Sequence, residues 1–375
     1  MNMNGNNMRR LGDYIRPVEA RNRDLAIHLS QGICNNKYFV NPKQVAENPE
    51  THKVVRTGQF AYNKATTRNG DKISIALRQG PDCTVSSAYQ IFEIIDEDVL
   101  NPEYLMMWFR RPIFDRYARF KSHGSAHEFF EWESMCEVQV PILPIEKQRE
   151  IVAEYNALQN RIETNKKLIA TLEQTAQTLY RHTFVDNIDP NNLPDGWRMG
   201  TLGEVCEYVH EKISIDTLSN KTYISTENML KERGGIVECE SLPEDCNVTA
   251  FEQNDILVSN IRPYFKKIWR ATFSGGCSND VLCFRSKSEF NSLILYYTIE
   301  RDSFFEYVVA GCNGAKMPRG DKKWIMKYSI VIPSVTDQKV FQKKIESIMD
   351  IINLKREEEK KLKSMQTLLL SKMGV

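Results

Sequence analysis

Residues 143–155 read LPIEKQREIVAEY, and residues 332–344 read IPSVTDQKVFQKK. Both pass from a short apolar run through proline into a helical pattern, and Gln148 and Gln338 stand 190 positions apart. Proline lacks the N–H that a helix interior needs but is tolerated at a helix start. Pro141, Pro144 and Pro333 therefore mark the beginnings of two helices, with Ser334 and Thr336 as candidate caps for the second.

Reading outward from these joints, the rest of the chain repeats as well. Leu11-Gly12-Asp13 and Leu202-Gly203-Glu204 are 191 apart. Gly124 of HGSAHEF and Gly314 of CNGAKMP are 190 apart, and Ser86 of TVSSAYQIFEI lies opposite Ser278 of GGCSNDVLCFR at 192. Four matches in order at nearly one offset describe two copies of one plan, a globular part of roughly 140 residues followed by a helix of roughly 35–40. The expected divisions are 1–143, a first globular domain; 144–185, a central long helix; 186–333, a linker and second globular domain; and 334–375, a C-terminal long helix. The run VDNIDPNNLPDGWRMG (185–200) is rich in turn residues and suits the linker.

Stepping by fours and threes along the first helix meets Ile151, Tyr155, Leu158, Ile162, Asn165, Ile169, Leu172, Ala176, Leu179 and Thr183. That is a narrow heptad seam with one asparagine inside it, a residue that fixes register in such seams. The same frame in the second helix gives Phe341, Ile345, Ile348, Ile352, Lys355, Glu359, Leu362, Gln366 and Leu369, with a polar middle. Each helix is the natural partner of the other. Residues 148–184 would span about 55 Å at the helical rise.

The globular parts mix strands with helices. Strands are expected at 72–77, 89–95, 137–143, 255–261, 281–285 and 328–333, and helices at 101–120 and 291–308. The expected fold class is α/β (α+β), with two pseudo-repeated globular domains separated by two long helices suited to pair in a coiled coil.

A chain of 375 residues with 41% hydrophobic and 26% charged residues suits a multidomain globular protein. It holds no apolar run of membrane-spanning length, and MNMNGNNMRRLGDY lacks the apolar core of a secretion signal, so a cytoplasmic protein is expected. Its nine cysteines form no Cys-x-x-Cys pair and read as reduced thiols. There is no P-loop, no dinucleotide fingerprint, no Asn/Asp-Pro-Pro-aromatic motif and no nucleophile elbow. His123 and His127 lack the intervening glutamate of a zinc motif, so no metal site is expected.

Net charge is only +1, so any nucleic acid must be met by local patches. Three runs qualify: RRPIFDRYARFK (110–121), RPYFKKIWR (262–270) and KMPRGDKKWIMK (316–327). GSAHEFF and GAKMPRG sit at equivalent places in the two copies. A repeated frame with different loop content suits a pair of readers, since base edges are distinguished by the side chains the loops supply.

At this point the sequence resembles the specificity subunits of type I restriction–modification enzymes. The resemblance rests on the two-copy layout, the Leu-Gly-Asp/Glu starts, LPDGWRMGTLGE opening the second copy, and the joints VQVPILPIEKQREI and YSIVIPSVTDQKVF. The first copy lacks the Leu-Pro-x-Gly-Trp opening found at 193–197. The resemblance implies a non-catalytic subunit whose two target-recognition domains read the halves of a bipartite site in double-stranded DNA. It also implies that the two long helices form an antiparallel coiled coil, set the spacer and dock two methyltransferase subunits, and that restriction subunits can join. S-adenosylmethionine, and ATP with Mg, would sit on those partners and none in this chain. The residues expected to approach DNA are Arg262, Lys266, Lys316 and Arg319 in the second domain, and Arg68, Lys72, Ser125 and His127 in the first. A regulator that binds DNA without a methyltransferase, a scaffold joining two protein-binding domains, and an enzyme with an unrecognised site remain alternative readings. Tight binding alone, no DNA preference in any complex, or activity of the isolated chain would mark each.

Overall fold

The computed structural model describes residues 8–42, 48–66, 72–122, 128–186, 188–244, 246–314 and 316–373. The chain divides into two compact units, Met1–Lys167 with Arg356–Val375, and Leu168–Lys355. The long helices Ile145–Phe184 and Val335–Lys372 each contribute one part to either unit.

In the first unit a four-stranded antiparallel sheet has the order Ile15–Val18, Tyr89–Ile94, Phe60–Asn63, Ile75–Leu77. Strand alternation sends Phe60, Tyr62 and Phe92 to one face, where they meet the helix Pro102–Phe109. Ala61 and Ile91 point to the other, against Val55, Cys83 and Val85. Phe60 stacks on Phe92 with centroids 4.9 Å apart, and Phe109 meets Phe60 edge-on at 5.8 Å. The second unit repeats this sheet as Cys206–Tyr208, Val281–Ser286, Ile256–Ser259, Ile268–Arg270. A second four-stranded sheet lies in the same unit, in the order Lys212–Ser214, Asn247–Phe251, Gly275–Cys277, Tyr223–Ile224.

The repeated motifs have physical causes. Met8–Arg10 pairs with Gln139–Pro141, and Arg198–Thr201 pairs with Ser329–Ile332, both antiparallel. Just past each pairing a buried leucine docks: Leu11 N–H donates to Val138 O at 2.8 Å, and Leu202 N–H to Tyr328 O at 2.9 Å. The following glycine lets the backbone come close. A Cβ on Gly12 would lie 2.7 Å from Cys136 Cβ, and one on Gly203 would lie 3.3 Å from Met326 O.

The two glutamines act alike. Gln148 Oε1 accepts from Asn101 N–H at 2.9 Å, while its Nε2 donates to Val99 O and Leu143 O, each at 2.8 Å. Gln338 Oε1 accepts from Asn291 N–H at 2.9 Å, and its Nε2 donates to Pro333 O at 3.1 Å. Asn101 and Asn291 in turn cap the helices Pro102–Phe109 and Ser292–Glu300. Each amide thus ties a long-helix start to a short-helix start, which fixes its place in the repeat.

The expected helix boundaries change in two respects. The helices anticipated at 101–120 and 291–308 are each split, into Pro102–Phe109 and Pro112–Lys121, and into Ser292–Glu300 and Asp302–Ala310. Arg111 is extended because proline follows it, and Arg301 is extended as well. The cap of the second long helix is Ser334, whose Oγ accepts from Asp337 N–H at 3.1 Å, whereas Thr336 lies inside the helix.

Along the seam, Tyr155, Ile162, Asn165 and Ile169 are buried, with Ile151, Leu158 and Leu172 half-buried. Phe341, Ile345 and Ile352 are buried and Ile348 half-buried. In the first unit Gln366 Nε2 donates to Gln159 Oε1 at 2.9 Å, and Arg161 pairs with Glu358 at 2.7 Å, so the helix segments there run antiparallel. In the second unit Tyr180 and Phe184 meet Phe341, with centroids 6.2 and 4.9 Å away. Thr183, expected in the seam, is exposed and bonds back to Leu179 O at 2.7 Å; Phe184 takes the inward place. Asn165 is buried and its Nδ2 has no hydrogen-bond partner. Trp197 of the Leu-Pro-x-Gly-Trp motif packs on Phe184 at 5.5 Å and donates from Nε1 to Asp337 Oδ2 at 2.7 Å. Gly196 before it has φ +76°, the left-handed conformation that suits glycine.

Candidate nucleic-acid interface

Pairing of Ser259 with Val281 puts two loops, 260–267 and 278–280, at one end of the second unit's main sheet. A third segment joins them, the hairpin of Cys312–Asn313 with Arg319–Gly320. Ile261 bridges Arg319, Arg262 N–H donates to Pro318 O at 2.9 Å, and Gly320 N–H donates to Asn260 O at 3.3 Å. Asn260 N–H also donates to Asp280 O at 2.8 Å.

The first unit contains the same clasp. Ala65 bridges Phe129, Thr66 N–H donates to Glu128 O at 2.9 Å, and Phe130 N–H donates to Lys64 O at 2.9 Å. Its turn Ser86–Ala88 matches Ser278–Asp280: Tyr89 N–H donates to Ser86 O at 3.2 Å, and Val281 N–H to Ser278 O at 3.0 Å. The weakest of the sequence matches, Ser86 with Ser278, is therefore a repeated turn.

Three of the residues anticipated in the second domain, Arg262, Lys316 and Arg319, are brought together by this cluster. Arg319 is over half exposed and its guanidinium pairs with Asp280 Oδ1 at 3.0 Å. Lys316 is exposed in the hairpin. Arg262 is half-buried, with φ 50° and ψ 61°, a costly conformation for a residue with a side chain. Lys266 differs, because its ammonium lies 2.8 Å from Asp302 Oδ1, which also takes Arg233 at 2.5 Å. The Lys266 and Arg233 hydrogen bonds hold the Asp302 carboxyl down at about 2. That depression stabilises the fold above the ordinary carboxylate range and fades as pH falls through that range toward about 2.

In the first unit Lys72 is exposed, beside Ile73, whose N–H donates to Asp115 Oδ1 at 3.2 Å. Arg68, Ser125 and His127, and the His123 and His127 pair, lie outside the described residues. The structural register matches Arg319 with Phe129 and Arg262 with Thr66, so the first-domain residues named from the sequence are counterparts by loop rather than by position.

The basic runs are not uniform surfaces. Trp269 packs on Phe251 and Phe273 at 5.9 and 5.0 Å, and Arg270 Nε is buried without a partner. Arg111 lies over the Trp108 ring at 4.1 Å, Arg119 pairs with Glu128, and Lys121 pairs with Glu137 at 3.0 Å. Lys212, Arg233, Asp280 and Asp302 were missed as contributors. Lys212 Nζ donates to Asn279 Oδ1 at 3.1 Å across 67 positions, a separation with no local signature. Among the described residues no group of three or more His, Cys, Asp or Glu could hold a metal ion. No described helix is long and apolar enough to cross a membrane.

The family model for the type I restriction modification DNA specificity domain matches residues 194–364, which contain the whole second cluster. Residues 194–364 are thus similar to a type I specificity domain. A curated relative, the type I restriction enzyme MjaIX specificity subunit of Methanocaldococcus jannaschii, is 26% identical over 144 residues. That match takes in 35% of this chain and about a third of the relative's length, 32%. Among solved structures, the type I restriction–modification S subunit from M. genitalium aligns over 100% of this chain and 98% of its own, at 12% identity and a TM-score of 0.55. The HsdS subunit from Thermoanaerobacter tengcongensis aligns over 98% of this chain and 97% of its own, at 18% identity and a TM-score of 0.39. The M. genitalium likeness shows the fold, a mixed helix-and-sheet arrangement. The family that the sequence resembles is the family that the comparisons return.

Proposed function

We propose that the chain is the DNA-reading subunit of a type I restriction–modification complex, each unit recognising one half of a bipartite duplex site. The observation that carries this reading is the repeated clasp. One backbone framework, held by matching hydrogen bonds, presents Lys316 and Arg319 in one unit and Phe129 in the other, while Thr66 at the place of half-buried Arg262 is buried. A fixed frame with exchanged side chains is what sequence reading at base edges requires. The chain itself performs no catalysis in this account. Methyltransferase subunits dock on the long helices and carry S-adenosylmethionine; a restriction subunit, where one joins, carries ATP and Mg.

The test is selection from a pool of randomised duplexes by the complex with its methyltransferase. Two constant blocks separated by unspecified bases are expected; an unselected pool would contradict the proposal. The same complex tests the Asp302 pairing. Asp302→Asn should free Lys266 and loosen Arg233, which keeps its bond to Glu300 O at 2.8 Å, raise affinity for all duplexes at low salt, and steepen the log–log salt dependence by roughly 0.9 for each phosphate gained. An unchanged slope across a salt series would show that neither cation reaches the backbone.

A further inference from the structure

Within that proposed function, we infer that Phe129 and Arg319 occupy the same reading position in the two units, Arg319 selecting guanine and Phe129 selecting thymine. The assignment rests on register. Arg319 bridges Ile261 and Phe129 bridges Ala65, with matching hydrogen bonds on both sides of each bridge. Both side chains are at the surface, Phe129 39% exposed and the Arg319 side chain 57%. The matching turns differ as well. Asp280 faces Arg319 and holds its guanidinium at 3.0 Å, whereas the equivalent turn position in the first unit is Ala88. A charged pair in one unit is thus replaced by an apolar residue and an alanine in the other.

The chemistry follows from these pairs. A guanidinium fork matches the O6 and N7 acceptors of guanine, and an aromatic ring suits the thymine methyl. Asp280 acts as a positioning residue. It restrains the guanidinium and, as a nearby anion, disfavours a phosphate in the same place, so Arg319 is directed toward a base edge.

Duplex selection by the methyltransferase complex tests the assignment, with wild type and variants compared base by base. Arg319→Ala should erase a guanine requirement at one position of one block, a loss of roughly 5- to 150-fold in discrimination, and leave the other block intact. Asp280→Ala should weaken the same guanine preference while steepening the salt dependence, a signature that a merely structural aspartate would not give. The double variant Phe129→Arg with Ala88→Asp should convert a thymine preference in the other block to guanine. Phe129→Leu keeps an apolar side chain and should retain the thymine. The inference is overturned if Arg319→Ala weakens every sequence alike, if variants of both units alter one block, or if the Phe129→Arg double variant still selects thymine. A wild-type complex that selects no two-block site would overturn the proposed function itself, and this assignment with it; two blocks lacking the guanine would overturn the assignment alone.

Discussion

Alanine in place of Gln148 should destabilise the first unit by about 3 kcal/mol or more, since it strands three buried backbone groups that cost about 1–3 kcal/mol apiece when unmet. The site is fully buried at 0% exposure, so water cannot substitute. Denaturant unfolding of the full chain, followed as two transitions, reads the loss in one and not the other. Gln148→Glu discriminates the cause. A carboxylate can still accept from Asn101 N–H but repels the carbonyls of Val99 and Leu143, so the variant should be weak at neutral pH. Its native carboxyl should titrate above the unfolded value. Stability should therefore return as pH falls through the native value, where an O–H can donate to one carbonyl. An alanine variant as stable as wild type would remove the glutamine clasp from the account.

Phe184→Ala should cost the second unit about 3–5 kcal/mol, the range for a buried phenylalanine emptied to alanine. Phe184 touches Tyr180, Trp197 and Phe341, with centroids 5.6, 5.5 and 4.9 Å away. Its loss also removes the surface on which Trp197 rests while donating to Asp337. Phe184→Leu, which keeps most of the volume, should cost less than about 1.5 kcal/mol. Unfolding monitored by calorimetry separates the two variants; equal and small losses would show that the aromatic cluster does not hold the linker to the second long helix.

The parts of this fold that were legible in the sequence are those where one physical constraint is imposed twice. Gln148 and Gln338 recur because each bridges two helix starts. Gly12 and Gly203 recur because each lets a backbone pass close to a neighbour. The heptad seam was legible because helical period is local, and it failed at Thr183, where Phe184 is drawn into the aromatic cluster around Phe341. The helix break at Arg111 was signalled by Pro112 although apolar periodicity runs across it, whereas the break at Arg301 carries no proline and was hidden. The candidate interface was readable as loops but not as contacts. Arg319 finds Asp280 and Lys266 finds Asp302 across separations that follow no period, and such pairs decide which cations face outward. The exchange of Arg319 for Phe129 likewise becomes visible only once the backbone register is known.

Mapping methylated bases in a host that co-expresses this chain with the methyltransferase subunit from its own genome tests the central claim most directly. The account predicts a split motif with a fixed spacer, and replacement of residues 1–143 by those of a relative should change one half and leave the other. A stable complex that methylates nothing, a single contiguous motif, or a replacement that alters both halves together would contradict it.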